Sequence, residues 1–146
     1  MILVDTTIWI EFFKSNPVFV NEMESLLENK NVITIEPVFA ELLYGSRSDN
    51  ERNMILSYWK VLPKIKFIEG SFIESAYFAN KRNYHNVGIG LIDTILSKAV
   101  TDNKHHIWTL DKKYSRIWMT IFYINLKSDL PVKINFRTLT QFEVYA

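Results

Sequence analysis

Short apolar runs alternate with helix-length segments along this chain, and that alternation constrains the fold more than any other feature. Ile2-Leu3-Val4 reads as a buried strand and meets Asp5 at once. Thr6 to Lys14 reads as a helix, with Ile8, Trp9 and Phe12 at helical spacing. Asn16-Pro17 breaks it and starts a second helix that runs to about Lys30, because proline suits the first helical position. Val32-Ile33-Thr34-Ile35 reads as a strand, and Glu36-Pro37 opens a helix that stops at Gly45. Ser48 to about Leu62 is a further amphipathic helix, ended by Pro63. Ile65-Lys66-Phe67-Ile68 alternates like a strand. Ser71 to about Asn86 reads as helical, with Phe72, Ala76, Ala79 and Asn83 on one row. Gly88 and Gly90 bracket a turn before the helix carrying Asp93, and His106 to Leu110 is strand-like. Phe122 to Leu126 reads as a last strand, while Phe136 to Ala146 fits strand or helix equally well. Strand and helix in this order predict a parallel sheet covered on both faces, an α/β fold.

A chain of 146 residues predicts one domain, 1–146. Nearly half the residues are apolar, with ten Phe, seven Tyr and four Trp, which is enough for a sizeable core. The formal net charge of +1 gives no bulk argument for nucleic-acid binding, so any basic surface must be local. With no cysteine, disulfides and Cys-ligated zinc are excluded, and a reducing, cytoplasmic compartment fits. Met1 to Asp5 has no basic leader segment, and no apolar run reaches the roughly 18 residues of a membrane span.

Against this background the placement of certain acidic residues carries the chemistry. Asp5 ends a strand, Glu41 sits inside the apolar Pro37–Leu43 helix, Asp93 lies near the start of the Gly90–Leu96 helix, and Asp111 follows His106–Leu110. Carboxylates seldom occupy apolar neighbourhoods unless paired or bound to a cation. Each has an ordinary alternative. Asp5 suits a helix cap, Glu41 a helix surface, Asp93 a helix dipole and Asp111 a turn. Gathered together they would repel, and a divalent metal removes that penalty. His85, His105 and His106 lack the spacing of a zinc motif, and the structural reading is favoured for them. Trp9 and Trp108 lie in apolar contexts that predict core packing rather than base stacking. Arg47, Lys112, Lys113 and Arg116 flank the acidic positions, as phosphate contacts or as solvated turn charges.

These residues resemble a known family. Val4-Asp5-Thr6-Thr7-Ile8-Trp9-Ile10-Glu11-Phe12-Phe13 is similar to the opening of PIN-domain ribonucleases, especially the VapC-type toxins of toxin–antitoxin pairs. Ala40-Glu41-Leu42-Leu43-Tyr44-Gly45, Ile92-Asp93-Thr94-Ile95-Leu96-Ser97-Lys98-Ala99 and Thr109-Leu110-Asp111 resemble the later family motifs, in order, over roughly Met1 to Tyr114. The resemblance implies a PIN-like three-layer α/β/α fold with a central, mostly parallel sheet. It implies an endoribonuclease that uses Mg²⁺ or Mn²⁺, with Asp5, Glu41, Asp93 and Asp111 as metal ligands. Thr7 and Thr109 would support them by holding a ligand or a metal-bound water. Many members carry a further acid after the last motif. Here Asp111-Lys112-Lys113-Tyr114 supplies only the aromatic residue.

The resemblance further implies an RNA substrate, a cognate antitoxin and a homodimer. Val18, Val20, Met23, Leu26 and Leu27 on one helix, with Met54, Ile55, Tyr58 and Trp59 on another, present more apolar surface than one sheet face uses, which predicts a partner. The alternatives are a non-toxin RNA-processing nuclease, a phosphatase or phosphotransferase with Asp5 as nucleophile, and a non-catalytic module of the same fold. The DxDxT pattern of the phosphatase is missing its second acid, since Asp5 is followed by Thr6-Thr7.

Overall fold

The computed structural model describes residues 1–116, 120–123 and 135–138. Its centre is β1 (Ile2–Val4), whose three residues are all buried. β1 pairs in parallel with β2 (Val32–Ile35) on one side and β4 (His106–Trp108) on the other. β3 (Lys64–Ile65) adds to β2, and β5 (Thr120–Tyr123) to β4, both in parallel. β6 (Asn135–Thr138) closes the far edge antiparallel, giving the order β3-β2-β1-β4-β5-β6. The expected mostly parallel sheet is therefore present. Of the stretch from Phe136 left open between strand and helix, residues 136–138 belong to a strand that begins at Asn135. The expected strand from Phe122 begins earlier, at Thr120, and residues 124–126 and 139–146 lie outside those described.

Helices form the outer layers. α1 (Thr6–Phe13) packs on α2 (Pro17–Glu28) and α3 (Glu36–Gly45), and α3 packs on α4 (Asp49–Val61). α5 (Ser71–Lys81) packs on α6 (Leu91–Asp102), which contacts β4. The breaks follow local chemistry. Asn16 caps α2 through its side chain with Pro17 in the first turn, and Ser48 caps α4 by accepting the Glu51 N–H at 3.2 Å. Trp9 is fully buried among the rings of Phe12, Phe13, Phe39 and Tyr58, and Trp108 is buried near Phe19, so core packing holds for both.

Two element boundaries differ from expectation. The strand predicted at Ile65–Ile68 is only Lys64–Ile65, because as the sheet's edge it pairs with β2 alone. The helix predicted to Asn86 stops at Lys81; Asn83 takes a left-handed φ of 54°, and a 3-10 turn follows at Tyr84–Val87. Part of the apolar surface of α2 and α4 is used within the fold, while Val18, Met54 and Val61 stay exposed. Phe19, Met23, Leu26 and Ile55 are buried, with Tyr58 and Trp59 packed against them.

Candidate active site

The chain builds outward from β1 in both directions: β2 and β3 follow on one side, β4 and β5 on the other. The order reverses between β1 and β4, and in open parallel sheets ligand sites form in the crevice beyond the carboxyl ends at such a point. Asp5 stands there. Its N–H donates to the Trp108 carbonyl at 2.9 Å, extending the β1–β4 ladder past the last strand residue. The residue is 7% exposed. Its Oδ2 accepts from the hydroxyls of Thr7 at 2.8 Å and Thr109 at 2.7 Å. Each hydroxyl also accepts a backbone N–H, Thr7 from Leu110 at 3.1 Å and Thr109 from Asp111 at 3.0 Å. Each hydroxyl keeps its single proton for the Asp5 carboxylate, which can only accept. The end of β1 and the loop after β4 are thereby tied into one unit. Burial pushes the Asp5 carboxyl pKa up, and the bonds from Thr109, Thr7 and nearby backbone N–H groups offset part of that rise. The cause is burial, not the mutual repulsion that clustering alone predicted.

Asp93 lies in the first turn of α6, and its Oδ2 accepts the Gly90 N–H at 2.8 Å. That bond fixes the carboxylate at the positive end of the helix. The same oxygen accepts from the Lys113 ammonium at 3.2 Å, and Oδ1 accepts from the Tyr114 hydroxyl at 3.4 Å. Asp111 takes two contacts from one residue: its Oδ1 accepts the Lys113 N–H at 2.9 Å and its Oδ2 lies 3.1 Å from the Lys113 ammonium. Those hydrogen bonds, to Asp111 and then Asp93, raise the Lys113 pKa. Tyr114 is buried, and its hydroxyl is pushed far above the usual tyrosine range by burial and by the charges of Asp5, Asp93 and Asp111. Asp93 and Asp111 are thus joined through Lys113, and the Tyr114 hydroxyl contacts Asp93.

Glu41 is placed differently. It is exposed on α3, and its Oε2 accepts the Thr6 hydroxyl at 2.6 Å. The apolar neighbourhood inferred from flanking residues is not its environment. Val38 and Leu42 face the core, while Ala40, Glu41 and Tyr44 face outward. Glu41 thus joins the others only through Thr6, the residue after Asp5, a link with no sequence signal beyond a hydroxyl beside an acid.

Among the described residues, no three Asp, Glu or His side chains stand as a group able to hold one ion. What lies between Asp93 and Asp111 is the Lys113 ammonium, a cation in the space between two carboxylates. Hard oxygen donors of this kind suit Mg²⁺, which binds through one or two carboxylates and keeps several waters. Asp93 and Asp111 supply two carboxylates of that donor type, with the Lys113 ammonium between them. Of the other basic candidates, Arg47 is exposed and lines a groove beside Glu41, and Lys112 is exposed on the turn after Asp111. Arg116 ends that turn, with its side chain outside the described residues. His85 is exposed, and His105 and His106 lie at the opposite end of β4 from Asp111, where burial lowers the pKa of both.

Solved structures that resemble the chain share its fold. A chain of the VapBC2 structure from Rickettsia felis, bound to a DNA fragment from its promoter, aligns with a TM-score of 0.64 and 22% identity, covering 80% of this chain and 93% of that one. FitAcB from Neisseria gonorrhoeae gives 0.60 and 16%, covering 84% and 97%. VapBC-1 from nontypeable Haemophilus influenzae gives 0.62 and 22%, covering 80% and 92%. No curated protein sequence matches the chain significantly. The family model of the PIN domain matches residues 2–117, which reach from β1 past Asp111 and Tyr114, and the chain belongs to the PIN domain family.

Proposed function

We propose that this PIN protein is an endoribonuclease dependent on Mg²⁺ or Mn²⁺ and acts as the toxin of a toxin–antitoxin pair. The observation that carries the reading is the set of carboxylates held at the switch point of the sheet: Asp5 by two threonine hydroxyls, Asp93 and Asp111 around a shared cation. Asp93 and Asp111, with Asp5 beside them and Glu41 at the rim, are the residues that would hold the metal. A bound divalent ion lowers the pKa of water and stabilises charge on a scissile phosphate. The chain's own residues do the rest. Thr7 and Thr109 keep Asp5 aimed, the Gly90 N–H keeps Asp93 aimed, and Lys112, Lys113, Arg47 and Arg116 meet the phosphates. The phosphatase reading is weaker, because Asp5 is buried with its Oδ2 engaged by two hydroxyls and is poorly placed to attack.

The partner assignments belong to the same reading. Beside Glu41, Ile10, Phe13, Leu42, Met54 and Ile55 line a groove of about 500 Å³. It suits the apolar face of an antitoxin helix, which would then cover the acidic centre. For the homodimer, α5 and its approach present an exposed apolar surface in addition to the exposed Val18 of α2 and Val61 of α4: Ile68 is 81% exposed, Ile73 76% and Tyr77 62%. No helix among the described residues is long and apolar enough to cross a membrane. A cytoplasmic location goes with the toxin reading.

The test is cleavage of total RNA with Mg²⁺ or Mn²⁺, stopped by EDTA, compared with Asp93→Asn. Equal cleavage by both proteins would show a contaminating nuclease. Inhibition by a cognate antitoxin that leaves the acidic cleft open would rule out the covering mechanism.

A further inference from the structure

Lys113 is held in a way that a surface lysine is not. The Asp111 carboxylate accepts the Lys113 N–H at 2.9 Å, two residues on, and this turn folds the lysine back over its own anchor. Its ammonium then stands 3.1 Å from Asp111 and 3.2 Å from Asp93. Tyr114, next in the chain, is buried and donates to Asp93, so the backbone on that side is pinned as well. Every carboxylate oxygen of Asp93 and Asp111 is engaged, and Lys113 makes three of the contacts.

We propose that Lys113 is a built-in counter-ion of the metal site: its ammonium joins Asp93 to Asp111 in the metal-free protein and must leave before a divalent cation binds there. The proposal rests on the metal-site reading above. The physics is a competition for the same oxygen lone pairs. A divalent ion and an ammonium between the same two carboxylates repel each other, so both cannot stay. With the ammonium in place the pair keeps one net negative charge and still attracts the incoming ion. Metal binding is therefore an exchange, and its apparent affinity is lowered by the ion pairs that must be broken. While it bridges the acids Lys113 is not available to RNA. Its phosphate contact becomes possible only once metal is bound, which links substrate binding to metal loading.

The experiment is calorimetric titration of Mn²⁺ into the metal-free full chain, with no RNA and no turnover. Lys113→Met keeps the stem and removes the charge. It is expected to bind Mn²⁺ about tenfold more tightly than wild type, the scale of two half-exposed ion pairs, and to melt a few degrees lower without metal. Lys113→Arg keeps the charge and is expected to stay within about twofold of wild-type affinity. Should Lys113→Met not fold by circular dichroism, Lys113→Gln takes its place. Equal or weaker Mn²⁺ binding by the charge-removed variant, with wild type binding normally and Asp111→Asn not, overturns the counter-ion and leaves the metal site standing. Wild-type binding that Asp111→Asn and Asp93→Asn leave unchanged, or no binding at all, overturns the metal-site reading itself.

Discussion

The two ends of the sheet carry opposite chemistry. At the carboxyl end, Asp5 lies beyond β1 and Asp111 beyond β4, and Asp93 accepts from the Tyr114 hydroxyl. At the amino end, the His106 N–H donates to the Met1 carbonyl, and His105 and His106 are crowded by burial and by the positive charge of the Met1 amino group. The same parallel register produces both ends, since β1 and β4 start and finish together. Among the described residues, the Thr7 and Thr109 hydroxyls and the Gly90 N–H hold charge at the carboxyl end. At the other, the histidines are pushed toward neutrality. The lesson is that a parallel sheet supplies two candidate rims, and the side-chain and backbone donors around each decide which one becomes a site.

The comparison is broken most directly by activity. Asp5→Asn or Asp111→Asn is expected to lower RNA cleavage a hundredfold or more, on the order of 3 kcal/mol of transition-state stabilisation, while His105→Asn stays within about twofold. Comparable losses at both rims, read from single-turnover rates, would remove the distinction. Next in size is the threonine network. Thr109→Val removes a hydroxyl that serves both Asp5 and the Asp111 N–H in a buried place, and is expected to cost about 1–3 kcal/mol in denaturant unfolding. Thr6→Val, whose partner Glu41 is exposed, is expected to cost about 0.5 kcal/mol or less.

How much of this was legible in the sequence depends on the kind of contact. β1, β2 and the start of α3 could be read because an apolar run ends sharply at Asp5 or Glu36-Pro37. Edge strand β3 could not, because its length is set by a partner and not by its own alternation. Asn83 was placed on a helical row although asparagine also takes the left-handed turn that ends helices, as it does here. For Glu41 the misleading signal was its immediate neighbours, when in a helix burial follows residues three and four away. The inward turn of Lys113 arises from a contact between loop and helix that no local pattern encodes.

That turn reverses the sign of a third expectation. Clustered acids alone predict that Asp93→Asn leaves the metal-free fold as stable or more so. An asparagine keeps an acceptor for the Gly90 N–H but loses the Lys113 ion pair and the negative charge at the helix start, and that loss is expected to lower stability by about 0.5–1 kcal/mol, measured by urea unfolding. An unchanged or higher midpoint would mean that repulsion outweighs them.

The smallest effect sharpens the amino rim. Burial, with the nearby positive charges second, lowers the pKa of His105 and His106 from the usual 6.5. Between the folded values and 6.5 the unfolded chain binds more protons than the folded one. Their contribution is therefore present above 6.5 and is lost as pH falls through that window. Stability of His105→Asn is expected to show a shallower loss below neutral pH than wild type. Parallel profiles would place the histidines in ordinary solvent.

The position of β1 also sets a schedule. The first strand made is the central one, yet its partner β4 and the hydroxyl of Thr109 arrive 104 residues after Asp5. A growing chain can pair β1 with β2 early, but the contacts of Asp5 with β4 and Thr109 must wait until nearly all the described residues have been made. Amide exchange on chains stalled at Asn103 should find the Asp5 N–H, whose acceptor is the Trp108 carbonyl, unprotected, and protection of that amide at that length would mean that the centre forms without β4.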